Sequence, residues 1–136
     1  MADQNSRPAM RKAERSPEAE EAFAKMIADR EAYFKELPVI RQEGVAALRR
    51  LLPIAQGHSG QCRIVAAFLL GLYNGRRFPF DLVDFRGLDR AIFNDCMSVL
   101  RMDKTPEREV HTYFDNGSVI WEDLAKSWNI KDHLAE

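Results

Sequence analysis

The stretch that decides the fold is Ile64-Val65-Ala66-Ala67-Phe68-Leu69-Leu70-Gly71-Leu72. Its apolar residues cover nearly every side of a helix, which is the pattern of a buried helix. The unbroken apolar run from Ile64 to Leu70 is far too short to cross a bilayer. We therefore predict an all-α fold, a single compact domain of five to six short helices around this central buried helix.

The flanks of the central helix carry start and stop signals. The helix is predicted to begin near Ser59, after the connection Gln56-Gly57-His58-Ser59-Gly60, and to end at Asn74-Gly75. Both of these last residues tolerate the left-handed conformation of a C-terminal cap. The next stretch, Arg76 to Phe80, should run extended because the residue before a proline avoids helical dihedrals.

Two further helices are predicted upstream of the central one. Ser16-Pro17-Glu18 reads as N-cap, first-turn proline and acid, so a helix should start there and end at Pro38. Its apolar stripe consists of Phe23, Met26, Ile27, Tyr33, Phe34 and Leu37. A stripe of this kind either docks on the protein's own core or pairs with another subunit, so a homodimer through the first helix stays open. A second amphipathic helix is predicted from Glu43 to Leu52, stopped by Pro53.

Downstream, Asp81 to Phe85 is expected to form one short helical turn, and apolar residues from Leu88 to Leu100 recur at helical spacing. Thr105-Pro106-Glu107 repeats the start signature, and a last amphipathic helix carries Ile120 to Trp128. The predicted organisation is a disordered basic and polar arm at 1–15, a helical domain at 16–130 and a frayed tail at 131–136.

Composition and charge exclude some classes of function. The 136 residues are 46% hydrophobic, which suits one core, and the net charge of -1 excludes a uniformly basic surface. The charge is uneven: residues 37–104 carry 10 basic and 6 acidic side chains, while residues 105–136 carry 3 and 7. Only two cysteines and no apolar N-terminal stretch predict a cytoplasmic protein without a membrane anchor.

Chemistry-bearing motifs are few. His58 and Cys62 stand four residues apart, a spacing that a metal or a thiol-imidazole pair can use, but no second short-spaced pair completes a site. Helix capping and core packing explain both residues more simply. We therefore predict no catalytic residues, no metal and no cofactor. A small hydrolase or transferase using His58, His111 and nearby aspartates is the remote alternative.

The most distinctive feature is a run of arginines and aromatics after the central helix. Arginine makes planar bonds to carboxylates and phosphates, and protein interfaces concentrate arginine and aromatic side chains at their centres. The opposing interpretation places the phenylalanines in the core and pairs the arginines with local aspartates. The predicted partner-binding residues are Arg76, Arg77, Phe78, Phe80, Arg86 and Arg90.

Three motifs carry a resemblance to a known family: Gly57-His58-Ser59-Gly60-Gln61-Cys62, Asn74-Gly75-Arg76-Arg77-Phe78 and Arg108-Glu109-Val110-His111. From Gly44 to about Trp128 the chain resembles an uncharacterised bacterial domain family carried on integrative and conjugative elements. The resemblance implies an accessory protein of a mobile element. It transfers no functional residue, because the family has no established activity.

Taken together, the sequence predicts a non-enzymatic binding or regulatory protein that acts through a protein partner. The alternative is nucleic-acid binding through the arginine-rich central segment, where phosphate contacts would make affinity steeply dependent on salt. Against this alternative stand the overall charge and the lack of a clear helix-turn-helix signature.

Overall fold

The first helix runs without a break through both of its prolines. The computed structural model describes residues 16–136, and α1 spans Pro17–Ala55. The prediction that Pro38 and Pro53 end helices is wrong. The fixed φ of proline suits a helix, and its cost is confined to one lost hydrogen bond and a local clash with the preceding turn. Packing outweighs this cost. The side chains that α1 buries after Pro38 include Ala47, Leu48, Leu51, Leu52 and Ala55.

The remaining elements follow at short intervals. They are α2 (Gly60–Tyr73), a first 3-10 helix (Leu82–Gly87), α3 (Arg90–Lys104), a second 3-10 helix (Val110–Tyr113) and α4 (Gly117–Ser127). Residues 16–136 contain no strand, which confirms the all-α prediction. Within this range, no helix combines the length and apolar character needed to cross a membrane.

The chain divides into two units, with the boundary at Leu37 and Pro38 inside α1. The described part of the first unit is residues 16–37, of which 17–37 are helical. The second unit, Pro38–Glu136, holds a continuous hydrophobic core. The predicted arm at residues 1–15 lies outside the described residues.

α2 is the central helix of the second unit, as predicted. Its buried residues are Val65, Ala66, Phe68, Leu69 and Leu70. It packs against α4 and both 3-10 helices. Two indole groups tie the core to backbone carbonyls: Trp121 Nε1 donates to Leu69 O at 3.0 Å, and Trp128 Nε1 donates to Ala55 O at 2.7 Å. Buried tryptophans need such partners for their N–H groups.

The predicted start of α2 near Ser59 and its predicted end at Asn74-Gly75 are both confirmed, but the predicted conformation of the C-terminal cap is wrong. Ser59 is the N-cap, and its hydroxyl accepts from Cys62 N at 3.3 Å. Asn74, however, is extended with φ of -157°, so the predicted left-handed cap is wrong. Its side chain instead accepts from the N–H groups of Arg76 and Arg77 at 3.2 and 3.1 Å. The backbone therefore turns at 75–77 rather than running extended from Arg76.

Thr105-Pro106-Glu107 does not start a helix, because the next element begins only at Val110. Arg41 holds this loop from α1. Its guanidinium donates to Thr105 O at 3.0 Å and pairs with Glu107 at 3.0 Å. A contact between residues 64 positions apart thus overrides a local start signal.

Candidate docking surface

Arg77 connects distant parts of the second unit. Its guanidinium makes two bonds of 2.7 Å to the two carboxylate oxygens of Glu122 and a third, of 2.9 Å, to Asp132. It also lies over the ring of Phe78, 4.6 Å from the centroid. Phe78 itself is only 2% exposed. Arg77 is thus held by contacts within the second unit and Phe78 is part of its core. That these two residues bind a partner stays a prediction.

The electrostatics of this cluster follow from its hydrogen bonds. The Arg77 guanidinium and the Tyr73 hydroxyl, which donates at 2.6 Å, lower the pKa of Glu122 to about 2. The same bond to Glu122 raises the pKa of Tyr73 above its usual value. Both shifts favour an ionised Glu122 that accepts a hydrogen bond from a neutral Tyr73 hydroxyl, so the cluster stabilises the Glu122 carboxylate at neutral pH.

The chain end is held against the same cluster. His133 N donates to Arg77 O at 2.8 Å, and Asp132 accepts from both Arg77 Nε and Leu134 N. The predicted frayed tail is thus anchored as far as His133. The bond from the Leu134 amide is the main cause that lowers the pKa of Asp132. Local sequence contained no sign of this attachment, because its partner lies 55 residues away.

We expect Glu122→Gln to lower stability at neutral pH and to flatten its acid dependence. A carboxylate whose folded pKa lies below its ordinary 4.5 stabilises the fold above that value, and this contribution is lost as the pH falls toward 2. Because the Glu122 side chain is 34% exposed, solvent screening limits the difference at pH 7 to about 1 kcal/mol. Urea unfolding at pH 7 and pH 3 measures it, with Asp123→Asn, the exposed neighbour, as control. A wild-type advantage of equal size at both pH values would contradict this assignment.

Beside this cluster, the second unit carries an apolar cavity of about 210 Å³. It lies between the end of α2, the first 3-10 helix and α3. The lining residues are Phe68, Gly71, Leu72, Gly75, Phe80, Leu82, Phe85 and Leu100. Phe80 and Phe85 are 4.8 Å apart between ring centroids, and Phe68 meets both at 5.8 and 5.6 Å. Three mutually packed aromatic rings therefore form one side of the cavity.

Apolar side chains at the rim of the cavity face solvent. Leu82 is 73% exposed, and its neighbour Val83 is also exposed. Asp81 fixes this segment as an N-cap, since its carboxylate accepts from Val83 N at 3.0 Å. Of the predicted site residues, Phe80 contributes to the cavity, whereas sequence reasoning missed Leu82 and Val83. Two consecutive aliphatic residues between aspartates were the available signal.

The other three predicted arginines are exposed. Arg76, Arg86 and Arg90 form no side-chain ion pair with any residue in 16–136. Two neighbouring aspartates are committed elsewhere: Asp89 accepts from Gln61 Nε2 at 3.1 Å, and Asp95 pairs with Arg50 at 2.9 Å. The interpretation that these arginines are neutralised by local aspartates is therefore wrong for the described chain.

Three exposed arginines directly follow cavity-lining residues in the sequence. Arg76 follows Gly75, Arg86 follows Phe85 and Arg101 follows Leu100, and all three are exposed neighbours of lining residues. Arg90 instead begins α3 and does not adjoin the lining. We define the docking surface as the cavity residues Phe80, Leu82, Phe85 and Leu100 together with the exposed residues that directly follow a lining residue in the sequence, namely Val83, Arg76, Arg86 and Arg101.

Residues 45–129 match the model of a family of unknown function, DUF7673. The chain belongs to this family. The matched range agrees with the range predicted from the three sequence motifs. No curated protein and no solved structure matches the chain.

The DUF7673 segment contains the whole docking surface and the Arg77 to Glu122 pair. It does not contain Asp132, so the second carboxylate on Arg77 lies beyond the matched range. The helical segment 17–37 also lies outside it. The cavity thus lies within the matched range, and the tail attachment and the helical segment 17–37 lie outside it.

The thiol and imidazole candidates of the DUF7673 domain lie apart from the cavity. The Ser59 hydroxyl donates to Cys62 Sγ at 3.1 Å and lowers the pKa of that half-buried thiol. Cys96 is fully buried, which raises its pKa to about 12. His111 packs edge-on against Tyr73 at 4.9 Å. Among residues 16–136, no group of three or more His, Cys, Asp or Glu side chains is arranged to hold a metal.

Proposed function

We propose that the protein is a non-enzymatic binding or regulatory module that engages a protein partner through the docking surface. The observation that supports the proposal is an apolar cavity whose lining includes the exposed side chain of Leu82. The exposed arginines Arg76, Arg86 and Arg101 directly follow lining residues in the sequence and form no ion pair within residues 16–136. Exposed apolar patches rimmed by polar groups are typical of interaction sites. Arginines around an apolar centre are what the cores and rims of protein interfaces favour.

The size of the cavity favours a side chain over a free small molecule. Pockets for ligands of drug size enclose roughly 300–1,000 Å³ and contain a few convergent polar groups. This cavity encloses about 210 Å³, and nearly all of its lining is apolar. One or two apolar side chains of a partner would fill it, while the arginines meet carboxylates beside them.

We expect Leu82→Asp to abolish partner capture without unfolding the domain. Leu82 is 73% exposed, so its replacement removes little packing within the fold, yet it places a carboxylate at the rim of the cavity. Capture of interacting proteins from source cells by wild type and variant, read by mass spectrometry, measures the loss. Val119→Asp is the matched control, since Val119 is an exposed aliphatic residue of α4 that does not line the cavity. Equal capture by both variants would remove the docking surface from consideration.

The proposal also includes the biological context in which the protein acts. The resemblance to a domain carried on integrative and conjugative elements supports an accessory role in a bacterial mobile element, in the cytoplasm. The genes that flank the family in many genomes would test it: absence of transfer or integration genes would contradict the mobile-element role.

Nucleic-acid binding is the second candidate, and the exposed arginines favour it. Arg76, Arg86 and Arg90 carry unpaired charge within residues 37–104, where basic residues exceed acidic ones by four. Binding of labelled DNA and RNA should then weaken steeply with salt, and an Arg76→Ala/Arg86→Ala/Arg90→Ala variant should reduce that dependence. No detectable binding at low salt would reject this candidate.

A further inference from the structure

The helical segment 17–37 presents apolar side chains to solvent along one stripe. Met26 is 58% exposed and Phe34 is 53% exposed, and Ile27 between them is exposed as well. At 100° per residue these three side chains fall within one face of the helix. A contiguous stripe of this kind is a surface suited to contact with another protein.

The charges around this stripe have a definite order. Asp29 and Glu36 run along one border and Glu31 along the other, while Arg30 lies on the centre line of the stripe. The segment contains six acidic and three basic residues and therefore carries a net charge of -3. It is an apolar stripe with acidic borders and one central positive charge.

The docking surface carries exposed charges of both signs. Arg76, Arg86 and Arg101 each directly follow a lining residue in the sequence and form no ion pair within residues 16–136, while exposed Asp81 and Asp84 flank Leu82 and Val83. The three unpaired arginines could pair with the acidic residues that border the stripe, and Arg30 could pair with one of the two aspartates. Complementary charge around apolar centres selects a partner and fixes its orientation.

We propose that the occupant of the docking surface is segment 17–37 of a second copy of this chain. The inference rests on the proposed function and names its partner. Pairing of two such stripes with each other is disfavoured, because their acidic borders would face one another. A contact between two different surfaces of identical chains is head-to-tail, so association closes into a ring or continues into longer assemblies.

Complementation between two variants tests the proposal. The donor variant, Met26→Glu/Phe34→Glu, places carboxylates in the apolar stripe. The acceptor variant, Leu82→Asp, places a carboxylate at the cavity. All three altered side chains are exposed, so the fold should be retained, which circular dichroism checks. Wild type should associate with rising concentration in sedimentation velocity. Each variant alone should associate at least about tenfold more weakly, a change of about 1.4 kcal/mol.

An equal mixture of the two variants should restore a dimer and nothing larger. The acceptor variant still carries an intact stripe, and the donor variant still carries an intact cavity, so one productive contact forms and then no free surfaces remain. Val119→Asp should associate like wild type. Failure of the mixture to form a dimer, or a wild type that stays monomeric up to millimolar concentration, overturns the proposal.

Two outcomes separate this inference from the proposed function. If the donor variant dissociates while Leu82→Asp still associates, the stripes pair with each other and the inference is wrong. If wild type is monomeric but loses a captured protein on Leu82→Asp, the docking surface serves a different partner, so the proposed function stands and only the second copy is rejected.

Discussion

Trp121→Ala is expected to destabilise the protein by about 3–5 kcal/mol, enough to unfold a marginally stable domain at moderate temperature. Trp121 is fully buried and is the largest of the fully buried side chains among the described residues. Its removal leaves a cavity in the core and also frees Leu69 O, which accepts the indole N–H at 3.0 Å. Both losses fall on the packing of α4 against the central helix.

Two matched variants separate these losses. Trp121→Phe keeps most of the apolar volume but removes the indole donor, so it should cost less than Trp121→Ala by the cavity contribution. Val119→Ala alters an exposed residue of the same helix and should change stability by less than about 0.5 kcal/mol. Urea unfolding followed by circular dichroism measures all three. An effect of Trp121→Ala no larger than that of Val119→Ala would contradict the central position of Trp121.

The central helix was predictable because its signal is local. An all-apolar run from Ile64 to Leu70 has no stable place except the interior, and Ser59 marks its start by its own side chain. The same kind of local reasoning failed at Pro38 and Pro53, which lie inside α1. A proline in a helix has a known energetic cost, but the packing that outweighs this cost cannot be seen in the local sequence. Local sequence rules give the free-energy cost of a proline in a helix, whereas tertiary contacts determine whether that cost is offset.

The candidate site was only partly predictable for a related reason. Phe80 and the arginines Arg76 and Arg86 were expected to form a surface, and they adjoin or line the cavity. Arg77 looked equivalent to Arg76 in sequence, yet its carboxylate partners lie 45 and 55 residues away. Nothing near Arg77 distinguishes a structural arginine from a free one, because the distinction is made entirely by tertiary contacts.

The exposed rim was missed because aliphatic residues in a short helical turn are normally buried. Leu82 and Val83 follow Asp81, which caps the turn and holds both residues at the surface. A single exposed aliphatic residue needs no explanation, but two consecutive ones at an apolar cavity do. The functional interpretation therefore depends on an arrangement that only the structure provides.

Gly117→Ala is expected to be as disruptive as the loss of the tryptophan, although it adds a single methyl group. A Cβ at Gly117 would lie 1.7 Å from His111 O and 2.7 Å from His111 C. These are backbone atoms of the second 3-10 helix, so no side-chain rotation relieves the clash. The start of α4 would have to move away from its buried position, at a cost of roughly 3 kcal/mol, the upper end for overpacking.

Gly60→Ala provides the matched control, since Gly60 is the first residue of α2 as Gly117 is of α4. Nothing lies within 4 Å of a Cβ at Gly60, and its backbone does not adopt a positive φ. Alanine there should leave stability unchanged or raise it by about 0.4–1 kcal/mol through the unfolded chain. Thermal melts of both variants measure the contrast. Equal effects at the two positions would show that helix starts in general, rather than the contact with His111, govern the response.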